Sequence, residues 1–570
     1  MRRSCGLNDQ VVTTEVVTSR QICISLITLS VLAISLVSAQ ENGARYLIIT
    51  HDQYYEALQP LAQWKTQKGI KAKVVKLSDI GYDTVQIKNY ITNAYNAWPI
   101  KPEYALFVGN KYQLPFPLFQ FGGIVSHSDN YYTNVSGDFH NEIIPGRFWI
   151  DDTIEAKTVV AKILGYERNP YVTDSLWFRK GVTIINEYGI VLPFTDSVYW
   201  ADARYAHQLM NGAGFVHIDS FAYSHNHSSS HVVNAINNGR SYILYRGLGF
   251  VEWLYPFDNI FAYQMTNGSE LPVVISATCA TIEGIGVDWV KAGTPDQPKG
   301  MVGFFGTTTA LDEVAHLRSA LAKGTLESIF TDSASTLGKA AEAGRLYYYS
   351  LFSNTLEYNS WTCLGDPEMT LWTTTPRVIE VTHLATILTG PCTLNVHVEY
   401  EGASVESALV CMMAKEDTTK YQYMRTNDLG DVTFMDSLAA PDSLIITVTG
   451  RNLRPYFGLV TVSGNGSKDQ MQNSCDLIFS VYPSLFKNNL IIEYAPGAST
   501  QTLSQDPELY IYNALGQVVK QYRLPQSQNV TTTISWDGKD DKDEIVPAGV
   551  YFIRLTTHDH QATRKAILLE

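Results

Sequence analysis

The sequence predicts an α/β protein in which parallel β-sheets are followed by small all-β domains. Segments with strand and helix patterns alternate from Tyr46 to Thr308, which is typical of a parallel sheet with helical crossovers. From residue 373 onward, short alternating strand patterns follow one another without helices. The apolar run at 271–279 (LPVVISATC) has the composition of a strand that is buried on both faces, and it ends in a thiol.

The composition is that of an ordinary globular protein. The chain has 570 residues, which is enough for three or four domains. Hydrophobic residues make up 45% of the chain and charged residues 17%, and the net charge is −14. An acidic chain of this kind is not expected to bind nucleic acid or an anionic membrane surface. We expect neither partner, and we expect the protein to be a monomer.

The amino-terminal segment has the pattern of a signal peptide. An apolar run at 22–37 has signal-peptide length, and Val37-Ser38-Ala39 fits a cleavage site. We therefore predict a signal peptide at residues 1–39 and a protein that is secreted or held at the cell surface. The polar lead before the apolar run is longer than usual. Translation starting nearer Ser19 and an uncleaved membrane anchor therefore stay open.

The number of cysteines predicts a free thiol. Removal of the signal peptide leaves Cys279, Cys363, Cys392, Cys411 and Cys475. An odd number of cysteines in an exported protein leaves at least one unpaired, and Cys279 is the natural candidate. Cys392 and Cys411 fall in one predicted β-domain and are a candidate disulfide pair.

The α/β region is predicted to consist of two successive units. The first contains strands at 46–50, 71–77 and 104–109 and helices at 54–68 and 85–98. The second contains strands at 181–187, 214–220, 241–249, 271–279 and 301–308 and helices at 199–211 and 231–238. The alternation predicts right-handed crossovers within two parallel-sheet subdomains, with a boundary near residue 172.

The carboxyl ends of two strands are expected to place candidate catalytic residues at one edge of the second sheet. The run at 241–249 ends in Gly247-Leu248-Gly249, and the next strand ends in Cys279. Ligands and catalytic groups collect at the carboxyl ends of parallel strands. A thiol beside a glycine-framed residue is the arrangement of a Cys/His hydrolase, but here Leu248 stands where the histidine is needed. A cysteine after an apolar strand is, by itself, more often a buried and inert side chain.

Taken in order along the chain, these motifs resemble the gingipain family of cysteine peptidases, which have a caspase-like fold. In that family one strand ends in Gly-His-Gly, and the next ends in a small residue and the nucleophilic cysteine. The matching segments here are Tyr245–Gly249 with Trp253 beyond it, Ser276–Cys279, Ser128–Asp138, Ile144–Asp152, Tyr166–Asn169 and Gly365–Pro367. The likeness covers roughly residues 44–372. It implies an amino-terminal subdomain at 44–172 and a catalytic subdomain at 173–375.

The resemblance implies a role for each candidate site residue. Cys279 is the nucleophile of a secreted endopeptidase, Asp151 is the acid that orients the base, and the backbone of Gly249 helps to hold the oxyanion. The substrate is a protein or peptide. Activity is expected to be impaired because Leu248 occupies the position of the base. The resemblance does not carry over arginine specificity, because residues 156–164 contain no carboxylate. No cofactor is required, and structural calcium is compatible with the family, although no ligands are identified.

Leu248 leaves three interpretations open. The protein is a catalytically inactive pseudo-peptidase that acts as a secreted or surface binding protein, another histidine supplies the base, or the register of the motif is shifted. His316, which follows a buried strand, is the main candidate for a rescuing base. His225, His227 and His231 are further candidates, and their HxHxxxH spacing also fits a metal site. A loop and helix N-cap at 228–230 accounts for these three histidines better.

The carboxyl-terminal region is predicted to form two small β-domains. Residues 376–465 fit an immunoglobulin-like sandwich. Residues 475–570 resemble the carboxyl-terminal modules of secreted Bacteroidetes-type proteins, in the segments Tyr482-Pro483, Leu509–Val519, Ile534–Asp540 and Pro547–Leu555. That resemblance implies export by the type IX secretion machinery. The acidic run at 536–544 lacks the closing glutamate of a calcium loop and is interpreted as a hairpin tip.

Overall fold

The elements of the α/β region follow the alternation predicted from the sequence. A computed structural model describes residues 43–187, 193–257, 264–464, 478–482, 485–487, 489–495, 507–524, 532–556 and 561–569. The strands are β1 (Tyr46–Thr50), β2 (Ala72–Lys76), β3 (Tyr104–Val108), β4 (Leu118–Phe121), β5 (Ile124–His127), β6 (Ile144–Phe148), β7 (Lys180–Ile185), β8 (His217–Ala222), β9 (Tyr242–Phe250), β10 (Glu252–Trp253), β11 (Val273–Cys279), β12 (Gly303–Thr307) and β13 (Trp361–Leu364). The helices are α1 (Tyr55–Gln67), α2 (Leu77–Ile80), α3 (Thr84–Ala97), α4 (Asn130–Thr133), α5 (Thr153–Glu167), α6 (Pro193–Gly212), α7 (Ser229–Asn237), α8 (Val287–Val290), α9 (Ala315–Phe330), α10 (Leu337–Phe352) and α11 (Leu356–Ser360).

One β-sheet runs through the whole α/β region. Its strand order is β2-β1-β3-β6-β13-β12-β11-β9-β7-β8, and β10 pairs with β9. The sequence predicts two separate sheets, and the structure differs because β13 lies between the two halves. β13 runs antiparallel to β12 and pairs with β6 through Leu364 and Arg147. One hydrophobic core, with members from Tyr46 to Trp372, also spans both halves.

In both halves of this sheet, residues that follow the carboxyl ends of strands lie at the same edge. Lys111 follows β3 and Glu283 follows β11, and their side chains form an ion pair at 2.6 Å. Ser126 on β5 donates a hydrogen bond to the carbonyl oxygen of Thr308, which follows β12, at 3.0 Å. Residues from the carboxyl ends of strands in both halves therefore meet where the candidate site lies.

Local sequence signals account for the beginnings of two helices. Asp83 accepts hydrogen bonds from the backbone of Val85 and Gln86, and the Gln86 side chain accepts one from the N–H of Asp83, which completes a capping box before α3. Asp152 caps α5 by accepting from the backbone of Ile154 and Glu155. The Asp152 carboxylate therefore caps α5, whereas the Asp151 carboxylate makes other contacts.

The sandwich predicted at 376–465 packs its two sheets around one apolar core. Its strands are β14 (Glu380–His383), β15 (Thr386–Leu388), β16 (Gly390–Tyr400), β17 (Ala403–Ser404), β18 (Leu409–Ala414), β19 (Tyr421–Arg425), β20 (Asp431–Leu438), β21 (Asp442–Gly450) and β22 (Leu453–Ser463). One sheet contains β14-β16-β17 with β20 beside β16, and the other is β15-β22-β21-β18-β19. The candidate disulfide is not formed, because Cys392 on β16 and Cys411 on β18 are both free, and the Cys411 sulfur contacts the carbonyl oxygen of Thr66 at 3.7 Å.

Residues from Gly464 onward form a second compact unit with its own core. Its strands are β23 (Ile478–Tyr482), β24 (Leu485–Phe486), β25 (Leu490–Ala495), β26 (Glu508–Asn513), β27 (Val518–Arg523), β28 (Thr532–Trp536), β29 (Gly549–Thr556) and β30 (Gln561–Leu568). Trp536 is fully buried at the centre of this core. The carboxylate of Asp540 accepts hydrogen bonds from the backbone of Lys542 and Glu544, which closes a turn in the acidic run.

Two predictions fall on parts of the chain that the structure leaves undescribed. The signal peptide at residues 1–39 and Cys475 both lie outside the described residues. Within the described ranges, no helix has the length and apolar character needed to cross a membrane.

Candidate active site

The thiol of Cys279 lies at the carboxyl end of the buried strand β11. Every residue of β11 from Val273 to Thr278 is buried, and Cys279 is half-buried. The strand runs parallel to β9 on one side and to β12 on the other. Burial on both faces explains the continuous apolar run in the sequence, and the end of the strand brings the sulfur to the surface of the sheet edge.

Leu248 lies on the neighbouring strand, close to the thiol. It is half-buried and stands two residues before Phe250, which is the strand partner of Cys279. Its backbone N–H donates to the Asn186 side chain at 3.2 Å. Gly247 is required there, because its φ is +153° and a Cβ would lie 2.5 Å from the Cβ of Asn186. The assignment of Leu248 to the position of the missing base stays a prediction.

The sulfur of Cys279 contacts a buried guanidinium. Arg318 Nη1 donates to Cys279 Sγ at 2.8 Å, and Sγ lies 3.6 Å from the carbonyl oxygen of Leu311. The side chain of Arg318 comes from the first turn of α9 and is only 3% exposed. A second nitrogen, Nη2, donates to the carbonyl oxygen of Thr309 at 3.2 Å. The structure thus pairs the thiol with a fixed cation.

Glu357 balances the charge of Arg318. The distance from Arg318 Nε to Glu357 Oε1 is 3.4 Å, and the glutamate side chain is fully buried. Burial acts to lower the pKa of Arg318, but its interactions with Glu357 and Cys279 outweigh burial and raise that pKa. The guanidinium is therefore charged at any physiological pH.

A second buried arginine fixes the start of α9. Arg246 on β9 donates to Asp202 at 2.6 Å and to the carbonyl oxygen of Ala277 on β11 at 2.7 Å. It also donates to the carbonyl oxygen of Ala315, the first residue of α9, at 2.6 Å. Because one guanidinium joins β9, β11 and α9, the strand that carries Cys279 and the helix that carries Arg318 are held in register.

Asp151 forms an ion pair at the same sheet edge. Its carboxylate accepts from Asn110 at 2.8 Å and from Lys291 at 2.7 Å, and Lys291 also contacts Glu155 at 3.0 Å. Burial acts to raise the pKa of Asp151, but the hydrogen bonds from Lys291 and Asn110 outweigh it and lower that pKa. The contacts described for Asp151 join it to a lysine and an amide, so the structure does not bring it to an imidazole.

His316 is not directed at the thiol. Its side chain is exposed, and its ring lies 5.7 Å from the ring of Phe352. His316 and Arg318 are two residues apart on α9, which places them about 200° apart around the helix axis. Because Arg318 faces Cys279, His316 faces away from it. The geometry therefore opposes the rescue role predicted for His316.

Gly249 lies directly against the strand of the thiol. A Cβ at Gly249 would lie 2.7 Å from the carbonyl oxygen of Glu252 and 3.0 Å from the hydroxyl of Thr278. Only glycine allows this approach without displacing a neighbour. The turn after the thiol is also tight, since Ala280 has a φ of +41° and its N–H donates to Thr309 O at 2.8 Å. The oxyanion role of Gly249 stays a prediction.

An apolar rim lies beside the thiol. Phe250 is 67% exposed, and Leu254 and Tyr255 are 44% and 45% exposed. Phe250 pairs with Cys279, and the carbonyl oxygen of Tyr255 accepts from the same Asn186 that contacts Leu248. The end of β9 and the segment after it therefore offer apolar contact area, which we call the apolar rim (Phe250, Leu254 and Tyr255), and Phe250 is its member beside Cys279.

Comparison with known proteins places this arrangement in a family. The model of peptidase family C25 matches residues 39–372, which is more than half of the chain. The chain belongs to peptidase family C25. This result confirms the predicted resemblance to gingipain-like cysteine peptidases. A second match, to the FlgD Ig-like domain, covers residues 495–561 of the second unit.

Curated relatives of this C25 chain are gingipains of Porphyromonas gingivalis. It is 23% identical to Gingipain R2 of strain W83 over 456 residues, which cover 76% of this chain and 59% of the relative. It is 24% identical to Gingipain R1 over 390 residues, covering 64% of this chain and 38% of the relative. The chain thus spans about three fifths of the length of Gingipain R2.

The crystal structure of the Arg-specific cysteine proteinase gingipain R is a structural neighbour. It aligns with 75% of this chain and 99% of its own length, with a TM-score of 0.64 and 21% identity. At this level of identity the match supports the fold alone, so the α/β core is caspase-like.

Sequence reasoning about this C25 chain missed Arg318 and its helix. No helix was predicted after the strand at 301–308, although an arginine lies among small and apolar residues in the segment AHLRSALA. A charged side chain in a segment that is otherwise apolar is rarely buried without a partner. That pattern, rather than any motif, is the signal from which a buried, paired cation could have been predicted.

The HxHxxxH histidines make hydrogen bonds that disfavour a metal. His227 Nδ1 accepts from the backbone of Ala222 at 3.2 Å, and His231 Nδ1 accepts from the backbone of Ser228 at 3.0 Å. A neutral imidazole that accepts at Nδ1 carries its proton on Nε2, the atom that faces away and would have to bind the metal. Ser228 is the N-cap of α7, as the sequence predicts.

The described residues contain one group with ligand atoms close enough for a cation. Oxygen and nitrogen atoms of Asp138, His140 and Glu142 lie within 4.8 Å of one another. Calcium takes six to eight oxygen ligands, whereas this group offers an imidazole. One oxygen of Glu142 also accepts from the backbone of Val135 and Ser136. The group therefore does not fit the structural calcium that the family resemblance implies.

Proposed function

We propose that the protein is a gingipain-like cysteine endopeptidase in which Cys279 attacks the scissile carbonyl, and that its peptidase activity is impaired. The observation that carries this proposal is the position of the thiol, half-buried at the carboxyl edge of β11 and 2.8 Å from the Arg318 guanidinium. A thiolate is the attacking form of cysteine, and a neighbouring cation favours it. Family C25 membership supports a protein or peptide substrate.

Leu248 is the reason for the impairment. A side chain with no lone pair and no proton can neither remove the thiol proton nor protonate the leaving amine. Loss of a positioned acid–base group typically lowers a rate by about 10²–10⁴-fold. Asp151 has no base to orient in this site and pairs with Lys291 instead. Peptide hydrolysis is therefore expected to be slow and to need no cofactor.

The alternative function is a catalytically silent protein that uses the fold to bind peptides or partner proteins. The observation in its favour is Leu248, which is apolar and lies beside the exposed Phe250. The two functions differ in the state of the sulfur. A silent site does not require a reactive thiol, whereas the peptidase does.

Thiol labelling with iodoacetamide separates these two functions. Burial raises the pKa of Cys363 and of Cys411 to about 12, so neither should react at neutral pH. Cys392 is half-buried like Cys279, and burial together with Asp436 raises its pKa, which makes it the internal control. Labelling of Cys279 well ahead of both Cys392 and a free cysteine at pH 7, measured by peptide mass mapping, supports the peptidase. Labelling of Cys279 no faster than a free cysteine supports the silent protein.

We propose that the protein is exported by the type IX route. The apolar run at 22–37 with its cleavage site supports passage across the inner membrane. The small Ig-like domain at 495–561 supports the presence of a separate terminal module. The secretion machinery is accordingly the partner that we assign to the module, and the protein is expected in the medium or at the cell surface.

A further inference from the structure

We propose that this site hydrolyses activated acyl esters and thioesters much better than amides, because the Cys279 sulfur is held by the Arg318 guanidinium, which has no proton to give. This inference rests on the proposed function, since it takes Cys279 as the nucleophile. It adds the substrate class: acyl compounds whose leaving group departs as an anion.

The first step is that the Arg318 guanidinium donates a hydrogen bond to the sulfur although it also contacts Glu357. The Glu357 carboxylate accepts from the Ser360 hydroxyl at 2.9 Å and from the Trp361 indole at 2.8 Å. These neutral donors satisfy one carboxylate oxygen, and the closer contact of the guanidinium is to Sγ, at 2.8 Å against 3.4 Å to Glu357. The guanidinium is therefore placed to donate a charge-assisted hydrogen bond to the sulfur.

The second step is that the guanidinium is a poor acid. It stays protonated under all conditions in which a protein is folded, so it cannot deliver a proton to a departing group. Among the described residues, the other polar partner of Sγ is the carbonyl oxygen of Leu311, which has no proton. Leu248 supplies none either. The site therefore combines a prepared nucleophile with no general acid.

The chemical consequence depends on the leaving group. In acylation, the thiolate attacks the carbonyl carbon, a C–S bond forms, and the C–O or C–S bond to the leaving group breaks with its electron pair on the departing atom. A phenolate or thiolate leaves in that form. An amine must be protonated at nitrogen as the C–N bond breaks, and that step needs an acid. Water then attacks the acyl-enzyme, the thiolate is released, and the proton passes to solvent.

The apolar rim determines which acyl groups suit the test. Phe250 is 67% exposed and is the strand partner of Cys279, so an aromatic acyl side chain can pack beside the reacting sulfur. The matched probes are the p-nitrophenyl ester and the p-nitroanilide of N-acetyl-phenylalanine. They share one acyl group and differ only in the leaving group.

In the full chain we expect ester hydrolysis above the buffer rate and anilide hydrolysis at least about 10²-fold slower in kcat/KM. Cys279→Ala abolishes the enzymatic ester hydrolysis. Leu248→His raises anilide hydrolysis selectively, so that the ester-to-anilide ratio falls. A wild-type protein that hydrolyses both probes equally well would overturn the inference, because a proton donor would then have to exist.

Variants of Arg318 test the role of the cation. Arg318→Met alone leaves Glu357 buried and unpaired, so the double variant Arg318→Met/Glu357→Gln is used, with folding checked by circular dichroism. Its ester kcat/KM should fall about tenfold or more, the range expected for loss of a hydrogen bond to a charged group. The rate of iodoacetamide labelling of Cys279 at pH 7 should also fall, and Arg318→Lys should restore part of both.

The outcomes separate this inference from the proposed function. If Cys279-dependent ester hydrolysis persists unchanged in the folded double variant, the role of Arg318 is refuted and Cys279 remains a nucleophile. If neither probe is hydrolysed and Cys279 labels no faster than Cys392, the proposed function itself fails.

Discussion

Replacing Lys65 with methionine should strongly destabilise the first compact unit. The ammonium group of Lys65 is fully buried on α1 and lies 2.7 Å from Glu167, 2.5 Å from Asp366 and 2.8 Å from Glu368. Lys68 contacts two of the same carboxylates, Glu167 at 3.0 Å and Glu368 at 2.6 Å. This cluster joins α1 and α5 to the loop after β13, and it contains residues from two of the motifs on which the family resemblance rests.

The magnitude follows from the charge count. Three carboxylates and two ammonium groups give the cluster a net charge of −1, and loss of Lys65 changes it to −2. Removing one partner of a buried ion pair typically costs about 3–5 kcal/mol, because an uncompensated charge stays in a medium of low polarity. Methionine keeps most of the side-chain volume, so the loss is electrostatic rather than a cavity effect. We expect the free energy of unfolding of Lys65→Met to be lower than that of the wild type by about 3–5 kcal/mol at pH 7.

The pH dependence has a defined sign. Burial acts to raise the pKa of Glu167, but Lys65 and Lys68 outweigh it and lower that pKa to about 2, below the ordinary value of 4.5. Glu167 therefore contributes stability above pH 4.5, and this contribution is lost as the pH falls toward 2. Without Lys65, which contributes most to lowering this pKa, Glu167 takes up a proton at higher pH. The difference between Lys65→Met and the wild type should shrink as the pH is lowered.

Urea unfolding followed by tryptophan fluorescence measures the effect. The Trp64 indole donates to Glu167 at 2.8 Å, so one of the reporting side chains lies within the cluster. The control is Lys157→Met, the same substitution at an exposed position of α5. The reasoning is refuted if both variants unfold at the same urea concentration at pH 7. It is also refuted if the loss of unfolding free energy in Lys65→Met, relative to the wild type, grows at lower pH.

Three further predictions concern the site and the terminal module. Leu248→His should create or raise peptide hydrolysis, measured with fluorogenic peptides, and adding Cys279→Ala should abolish the gain. His316→Ala should leave any hydrolysis and the rate of Cys279 labelling unchanged, because His316 faces away from the sulfur; a drop in either would restore His316 as a base. Deletion of residues 477–570 should leave the first unit folded but held in the periplasm of a native-type host, as cell fractionation would show. Export of the truncated chain at the full-length level would contradict the sorting role.

The sequence predicts the α/β elements well because each one has a clear period and end signals. The strand predicted at 46–50 has those bounds in β1, and the helix predicted at 85–98 is α3, shifted by one residue. The edge position of Cys279 follows from the apolar run of β11 in the same way. Local periodicity is sufficient for such elements, since the buried faces repeat within a few residues.

What the sequence does not predict depends on contacts between distant segments. β13 has four residues, WTCL, and its place between β6 and β12 is set by pairing across the sheet rather than by a pattern of its own. Arg318 and Cys279 are brought together by α9, and Arg246 holds the start of that helix. The candidate disulfide fails for the same reason, because the Cys411 sulfur packs against Thr66 of α1, a segment distant in sequence from Cys392.

The placement of Arg318 bears on the choice between a reactive and a silent thiol. Burying a guanidinium and a carboxylate costs several kcal/mol per ion, and apolar side chains of similar volume often stabilise a protein as well or better. Stability alone therefore does not account for an arginine 2.8 Å from Cys279 and backed by Glu357. Leu248 shows that the same edge accepts an aliphatic residue. A buried cation that contacts a half-buried sulfur is an arrangement expected of a nucleophilic thiol, and it supports the role proposed for Cys279.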